Sequence, residues 1–169
     1  MSSSRIFFLL FIFLCLALLE TSFFASLPGV LRLLPITFAV GVYLVQSRGW
    51  WPGAWLIAAM GAFLDFAGIA PVPLQTIAYG IAALVIFFSA RSLFSNRSLF
   101  GILACGTLGW IAHGLVQTTV WLIQNLTDPA RPTVGAYARV FGWQFLLLMC
   151  FFVVLFYTMP QRTRMDIHR

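Results

Sequence analysis

Long apolar stretches separated by short polar segments cover almost the whole chain. About 20 residues of α-helix cross the hydrocarbon layer of a bilayer, which makes six of these stretches candidate membrane spans. The candidate spans are residues 6–25, 30–45, 53–69, 74–90, 99–123 and 140–158. The pattern predicts a single all-α membrane domain, a bundle of about six transmembrane helices followed by a polar tail at 160–169.

The first two stretches contain features that affect the number of predicted spans. Arg32 and Pro35 interrupt the second stretch near its start, so five spans are the alternative count. The first stretch resembles a secretory signal in its apolar length. However, Phe23 occupies a position where cleavage after Ala25 would require a small residue. We therefore expect the first stretch to be retained as a span.

Composition points to lipid as the solvent of this chain. Of the 169 residues, 62% are apolar and 8% are charged, whereas soluble domains contain about 25% charged residues. All ten basic residues are arginines, and they are scattered between the apolar stretches. A nucleic-acid-binding surface would gather them on one face, so nucleic acid is not an expected partner.

The arginines also predict the orientation, because cytoplasmic loops carry an excess of positive charge. A cytoplasmic amino terminus places seven arginines inside and three outside. The inside set is Arg5, Arg48, Arg91, Arg97, Arg162, Arg164 and Arg169, and the outside set is Arg32, Arg131 and Arg139. Both termini are then cytoplasmic. The arginines of the tail are expected to lie against anionic lipid headgroups.

Four polar residues inside the apolar stretches are the candidate interaction sites: Asp65, Glu20, His113 and Gln117. A carboxylate at bilayer depth costs about 2.5 to 3.5 kcal/mol, so such residues have a function by default. In the predicted topology they lie at mid-depth or in the outer half, as does Gln144. Three hypotheses explain these polar residues: an interhelical hydrogen-bond network, a cavity for a ligand or partner helix, and a proton relay.

Small residues recur at helical spacing in two of the stretches. In the fifth, Gly101, Cys105 and Gly109 lead into His113 and Gln117 at intervals of four. In the third, the repeat is Ala54, Ala58 and Ala62, with Asp65 one step short. Residues at this spacing share a helix face, where small side chains let another backbone approach closely. Both stripes are predicted helix-packing faces.

Signatures of catalysis are missing from the sequence. No nucleophile elbow, zinc-protease helix, paired-carboxylate motif or phosphate loop occurs. Cys15, Cys105 and Cys150 lie in apolar stretches without metal-ligand spacing. We therefore expect no enzymatic activity, no cofactor and no metal site.

The order of features from Leu19 to about Gly109, roughly half of the chain, resembles MreD, the rod shape-determining membrane protein family of bacteria. The matching elements are Glu20-Thr21, Pro35-Ile36-Thr37-Phe38, Arg48-Gly49, the small-residue run from Gly53 through Gly61 to Asp65, Gly68 before a proline-containing loop, and Phe94–Phe100. The third helix has more alanine than is usual in the family, and Pro71-Val72-Pro73-Leu74 replaces its commoner turn.

The resemblance implies a non-enzymatic subunit of the cell-elongation machinery in the bacterial cytoplasmic membrane. It implies as partners MreC-like and MreB-like proteins and peptidoglycan synthases. It matches Asp65 to the family's recurrent acidic position and Glu20 to its polar position at the end of the first span. A second hypothesis is the substrate-binding S component of an energy-coupling-factor vitamin transporter. That class has a similar size, six helices and an outward-facing cavity.

Overall fold

The computed structural model describes residues 3–49, 51–68, 72–94, 98–127 and 134–158. Within these ranges the chain forms six α-helices and no strand. The helices are α1 (Ser3–Leu18), α2 (Ile36–Arg48), α3 (Trp51–Gly68), α4 (Leu74–Ser92), α5 (Leu99–Thr127) and α6 (Val134–Thr158). The predicted all-α bundle is confirmed. Helices suit an apolar chain in lipid, because each satisfies its own backbone hydrogen bonds.

Between α1 and α2 the helical path is irregular. A π-helical turn (Leu19–Phe23) and a 3-10 turn (Phe24–Ser26) continue α1, and a second 3-10 turn covers Gly29–Leu33. α2 begins only after Pro35, so the stretch predicted at 30–45 is divided at this residue. Proline lacks a backbone N–H and clashes with the preceding turn, which accounts for the break.

Four helical runs in the described part of the chain are long and apolar enough to cross a membrane. They are Phe7–Ser26, Leu74–Ser92, Leu99–Ile123 and Ala138–Thr158, and they coincide with the first, fourth, fifth and sixth predicted spans. α2 has 13 residues, about 20 Å of helix, against a hydrocarbon layer of about 30 Å. α3 has 18 residues, about 27 Å of helix, and is not among the four runs. Crossing by α2 and α3 stays a prediction.

The core lies among α2, α3, α4 and α5. Phe38, Ile57, Met60, Ile86 and Trp110 are all less than 2% exposed there. The closest packing joins α3 to α4, α4 to α5 and α2 to α3. α1 lies at the edge of the bundle and presents large apolar side chains outward, as suits a helix that faces lipid.

Glycines set the distance between the central helices. A Cβ atom on Gly53 of α3 would lie 2.6 Å from the carbonyl oxygen of Gly41 in α2. A Cβ atom on Gly61 would lie 2.5 Å from the carbonyl oxygen of Gln75 in α4. Because both obstacles are backbone atoms, only glycine permits these helices to approach so closely.

Gly61→Ala is therefore expected to lower the unfolding free energy by about 1 to 3 kcal/mol, because the added methyl group forces α3 and α4 apart. The matched control is Gly80→Ala in α4, where a Cβ atom would meet no atom within 4 Å. That variant should be neutral or slightly more stable, since alanine favours helix. Thermal unfolding in detergent compares the two. Equal melting temperatures for Gly61→Ala and the parent would contradict the prediction.

Candidate functional site

Asp65, near the end of α3, caps the amino terminus of α4. Its Oδ1 accepts a hydrogen bond from the backbone N–H of Gln75 at 3.0 Å. Its Oδ2 accepts from the backbone N–H of Thr76 at 2.7 Å and from the Thr76 hydroxyl at 2.6 Å. The first N–H groups of a helix have no partner within it, and a carboxylate there also meets the positive end of the helix dipole. Asp65 thus joins α3 to α4.

Glu20 plays the same part for α2. It lies in the π-helical turn that follows α1, and its Oε2 accepts a hydrogen bond from the backbone N–H of Thr37 at 2.8 Å. Thr37 is the second residue of α2 and is fully buried. The two carboxylates therefore each stabilise the start of the following α-helix, rather than bonding to one another.

A hydrogen bond between two side chains connects the capped start of α4 to α5. The amide Nε2 of Gln117 donates to Oε1 of Gln75 at 2.7 Å, while the backbone of Gln75 is bonded to Asp65. Gln75 thus connects α3, α4 and α5. It carries no charge and opens a helix that follows a proline-rich turn, so sequence reasoning did not select it.

His113, in the middle of α5, is 7% exposed and packs among aromatic rings. Its ring is stacked with Trp110, with centroids 5.0 Å apart and an angle of 22° between the ring planes. The Tyr79 ring meets it edge-on at 4.6 Å. Both ring nitrogens of His113 and the indole Nε1 of Trp110 are buried without a hydrogen-bond partner among the described residues.

A cavity of about 340 Å³ lies beside these groups. It is a half-open cleft bordered by the π-helical and second 3-10 turns and by α3, α4, α5 and α6. Its polar lining consists of Glu20, Arg32, Gln75, Tyr79, His113, Gln117 and Gln144. Apolar residues that include Leu33, Leu34, Leu64 and Val140, together with Trp110, complete the wall.

Three of the four candidate residues therefore lie around one cavity: Glu20, His113 and Gln117. Asp65 is not part of the lining and reaches it through Gln75. The structure combines two of the readings that the sequence left open, because interhelical hydrogen bonds surround a cavity. Within the described residues, no hydrogen bond joins Glu20 to His113, and a direct step of a proton relay between them has no path.

The two predicted packing faces differ in burial. On α5, Gly101, Cys105 and Gly109 are all buried, and Gly109 lies against the side chain of Ile86. On α3, Ala54 and Ala58 are half-buried, whereas Ala62 is exposed. The close approaches of α3 are made instead by Gly53 and Gly61. Both glycines stand one position before an alanine of the stripe, so the contact face is rotated by about 100°.

Other features named from the sequence take no part in the site. Cys15 and Cys150 are exposed and Cys105 is buried, and all three thiols are free. In the ranges that the structure covers, no group of three or more His, Cys, Asp or Glu residues is placed to hold a metal ion. The tail at 160–169, with Arg162, Arg164 and Arg169, lies outside the described residues, as do Arg97 and Arg131.

The fold and the apolar helices define an all-α integral membrane protein with a polar cavity inside its helical bundle. Comparison with protein-family models, with curated proteins and with solved structures gives no match.

Proposed function

We propose that this chain is a non-enzymatic membrane subunit of the bacterial cell-elongation complex, which builds peptidoglycan and maintains rod shape. It binds MreC-like and MreB-like proteins and peptidoglycan synthases, and its helices supply the contact with the membrane partners. It resides in the cytoplasmic (inner) membrane with both termini in the cytoplasm. The polar cavity then lies in the outer half of the bilayer.

The observation that carries the proposal is the use of both intramembrane carboxylates as helix caps. Asp65 and Glu20, which the family resemblance matches to a recurrent acidic and a recurrent polar position, accept hydrogen bonds from backbone N–H groups of neighbouring helices. Such bonds fix the geometry of the bundle, as a scaffold requires. A hydrolytic or transfer enzyme would instead need a general base or nucleophile next to its substrate.

Exposed apolar faces supply the surface for partner helices. α1 carries Phe7, Phe8 and Phe11 at 74%, 64% and 65% exposure. On α4, Leu84 and Phe88 are 58% and 63% exposed. In a bilayer, helices associate through van der Waals packing and interhelical hydrogen bonds. These two faces are therefore proposed to pack on membrane partners, with lipid covering whatever the partners leave free.

Affinity purification from detergent-solubilised membranes, followed by mass spectrometry, tests the proposal. The full chain with a tag should recover proteins of the cell-wall elongation machinery in amounts well above an untagged membrane preparation. A matched control is an unrelated tagged membrane protein expressed at the same level. Recovery of neither a peptidoglycan synthase nor an MreC-like protein from cells that contain them would contradict the assignment.

The cavity favours a second candidate function. A half-open cavity of about 340 Å³ with polar and apolar walls also suits the substrate-binding S component of a vitamin importer. The same purification separates the two candidates, because an importer would bring with it an ATPase pair and a transmembrane coupling subunit. A vitamin retained in equal amount to the protein would also support the importer.

A further inference from the structure

We propose that the cavity binds an uncharged, hydroxyl-bearing molecule, namely a sugar, either free or as the headgroup of a membrane glycolipid. The proposal concerns the cavity alone and does not depend on which proteins the bundle binds. The formal charges in the cavity wall balance. The Glu20 carboxylate and the Arg32 guanidinium have opposite formal charges, and the other polar groups are amides, an imidazole, an indole and the phenol of Tyr79. Such a lining favours neither an anion nor a cation.

The nitrogen atoms of Trp110 and His113 that have no hydrogen-bond partner in the described chain further restrict the chemical class of the ligand. The Trp110 indole can only donate a hydrogen bond, whereas a neutral His113 ring offers one donor and one acceptor in either tautomer. All three nitrogens are buried without a partner in the described chain, an uncommon situation for buried polar groups. A hydroxyl group both donates and accepts. It can therefore pair with the indole or with a ring nitrogen once a small rotation of the ring brings that nitrogen, which is buried in the structure, to the cavity surface.

The side-chain amides next to the cavity also offer both hydrogen-bond donors and acceptors. Gln117 gives one amide proton to Gln75, which leaves its carbonyl oxygen and the amide N–H groups of Gln75 for other partners. Gln144 of α6 is half-buried in the opposite wall. Several donors and acceptors arranged around one chamber match the ring of hydroxyls on a sugar better than a single carboxylate or amine.

Size and shape agree with this class. A volume of about 340 Å³ is at the lower end of the range of about 300 to 1,000 Å³ that is typical of ligand sites. Two apolar side chains form part of the wall: Leu33, at the end of the second 3-10 turn, and Leu34, which follows it. They offer contact to the C–H faces of a sugar ring or to the first carbons of a lipid chain.

The test uses the purified full chain in phosphatidylcholine nanodiscs and reads the indole ¹H–¹⁵N signal of Trp110, which is assigned by its loss in Trp110→Phe. The two probes are monoglucosyl diacylglycerol, placed in the nanodisc, and methyl glucoside, added to the buffer. Diacylglycerol with the same acyl chains is the control lipid. We expect a saturable shift of the Trp110 signal with one of the two probes. Response to the first identifies a headgroup, and response to the second identifies a free sugar.

A matched pair of variants ties the response to the cavity. Gln144→Leu removes a polar group from the lining and should weaken binding of the responding probe about tenfold. Trp143→Phe changes its neighbour on α6, which is 45% exposed, and should leave the affinity unchanged. Melting temperatures in the same nanodiscs check that both variants are folded.

Four results would overturn the proposal. The first is the absence of a Trp110 response to either sugar probe, and the second is an equal shift with diacylglycerol. The third is undiminished binding in folded Gln144→Leu. The fourth is a high-resolution map, recorded with both sugars supplied, that shows only ordered water in the cavity. None of these results bears on the recovery of elongation proteins, so failure here is distinct from failure of the proposed scaffold function.

Discussion

Replacing Asp65 with leucine is expected to lower the unfolding free energy by about 2 to 4 kcal/mol and to weaken assembly with partner proteins. The variant loses three hydrogen bonds to the start of α4 and leaves the N–H groups of Gln75 and Thr76 without their acceptor. Insertion should be unaffected, because leucine is more apolar than aspartate. Thermal unfolding in detergent, membrane fractionation and recovery of partners measure the three effects.

Asp65→Asn is the matched control, since asparagine caps helices about as well as aspartate. Its single amide oxygen can keep the two hydrogen bonds from Thr76, whereas its NH₂ group cannot accept from the N–H of Gln75. It should therefore keep part of the stability that Asp65→Leu loses and most of the recovered partners. If Asp65→Leu had the stability of the parent, the capping role would be refuted. If it were less stable but recovered partners fully, the bonds from Asp65 to the start of α4 would not be needed for the proposed assembly.

Glu20→Ala is the second change with a large expected effect. The N–H of Thr37 would lose the Glu20 acceptor at a fully buried residue, and an unsatisfied buried donor costs about 1 to 3 kcal/mol. The first turn of α2 should open more often. Hydrogen exchange at the amide of Thr37 should therefore accelerate, while the amides in the middle of α5 should change only as far as global stability falls.

Glu20→Gln provides the comparison for this prediction. Glutamine has nearly the same shape and keeps a carbonyl oxygen that can accept from Thr37, so its exchange rate should stay close to that of the parent. Unchanged exchange at Thr37 in the alanine variant would show that another group caps α2. Fast exchange in both variants would show that α2 needs the full charge of Glu20 at its amino terminus.

Several features of the fold followed from the sequence because they depend on one segment at a time. The apolar stretches around Leu74–Ser92 and Leu99–Ile123 are helices of membrane-spanning length, as predicted. Pro35 was recognised as an interruption, and the chain does break there. Hydrophobicity and proline geometry act locally, so they are legible without knowledge of the neighbours.

The rotation of each helix was harder to predict. On α3, the alanine stripe and the glycines Gly53 and Gly61 are both small-residue patterns at helical spacing, and the helix is apolar nearly all round. The sequence therefore offers no polar face that could orient it. The choice of the glycine face follows from which backbone lies opposite, Gly41 on one side and Gln75 on the other.

By itself, the sequence determined that this is a helical membrane protein and that Glu20, Asp65, His113 and Gln117 are its unusual polar groups, because a polar side chain in an apolar stretch is costly wherever it lies. Only the tertiary structure decided what these groups contact. Glu20 meets an N–H 17 residues away, and Gln117 meets a side chain 42 residues away. Such pairings depend on how the helices cross, and no local pattern encodes the crossing.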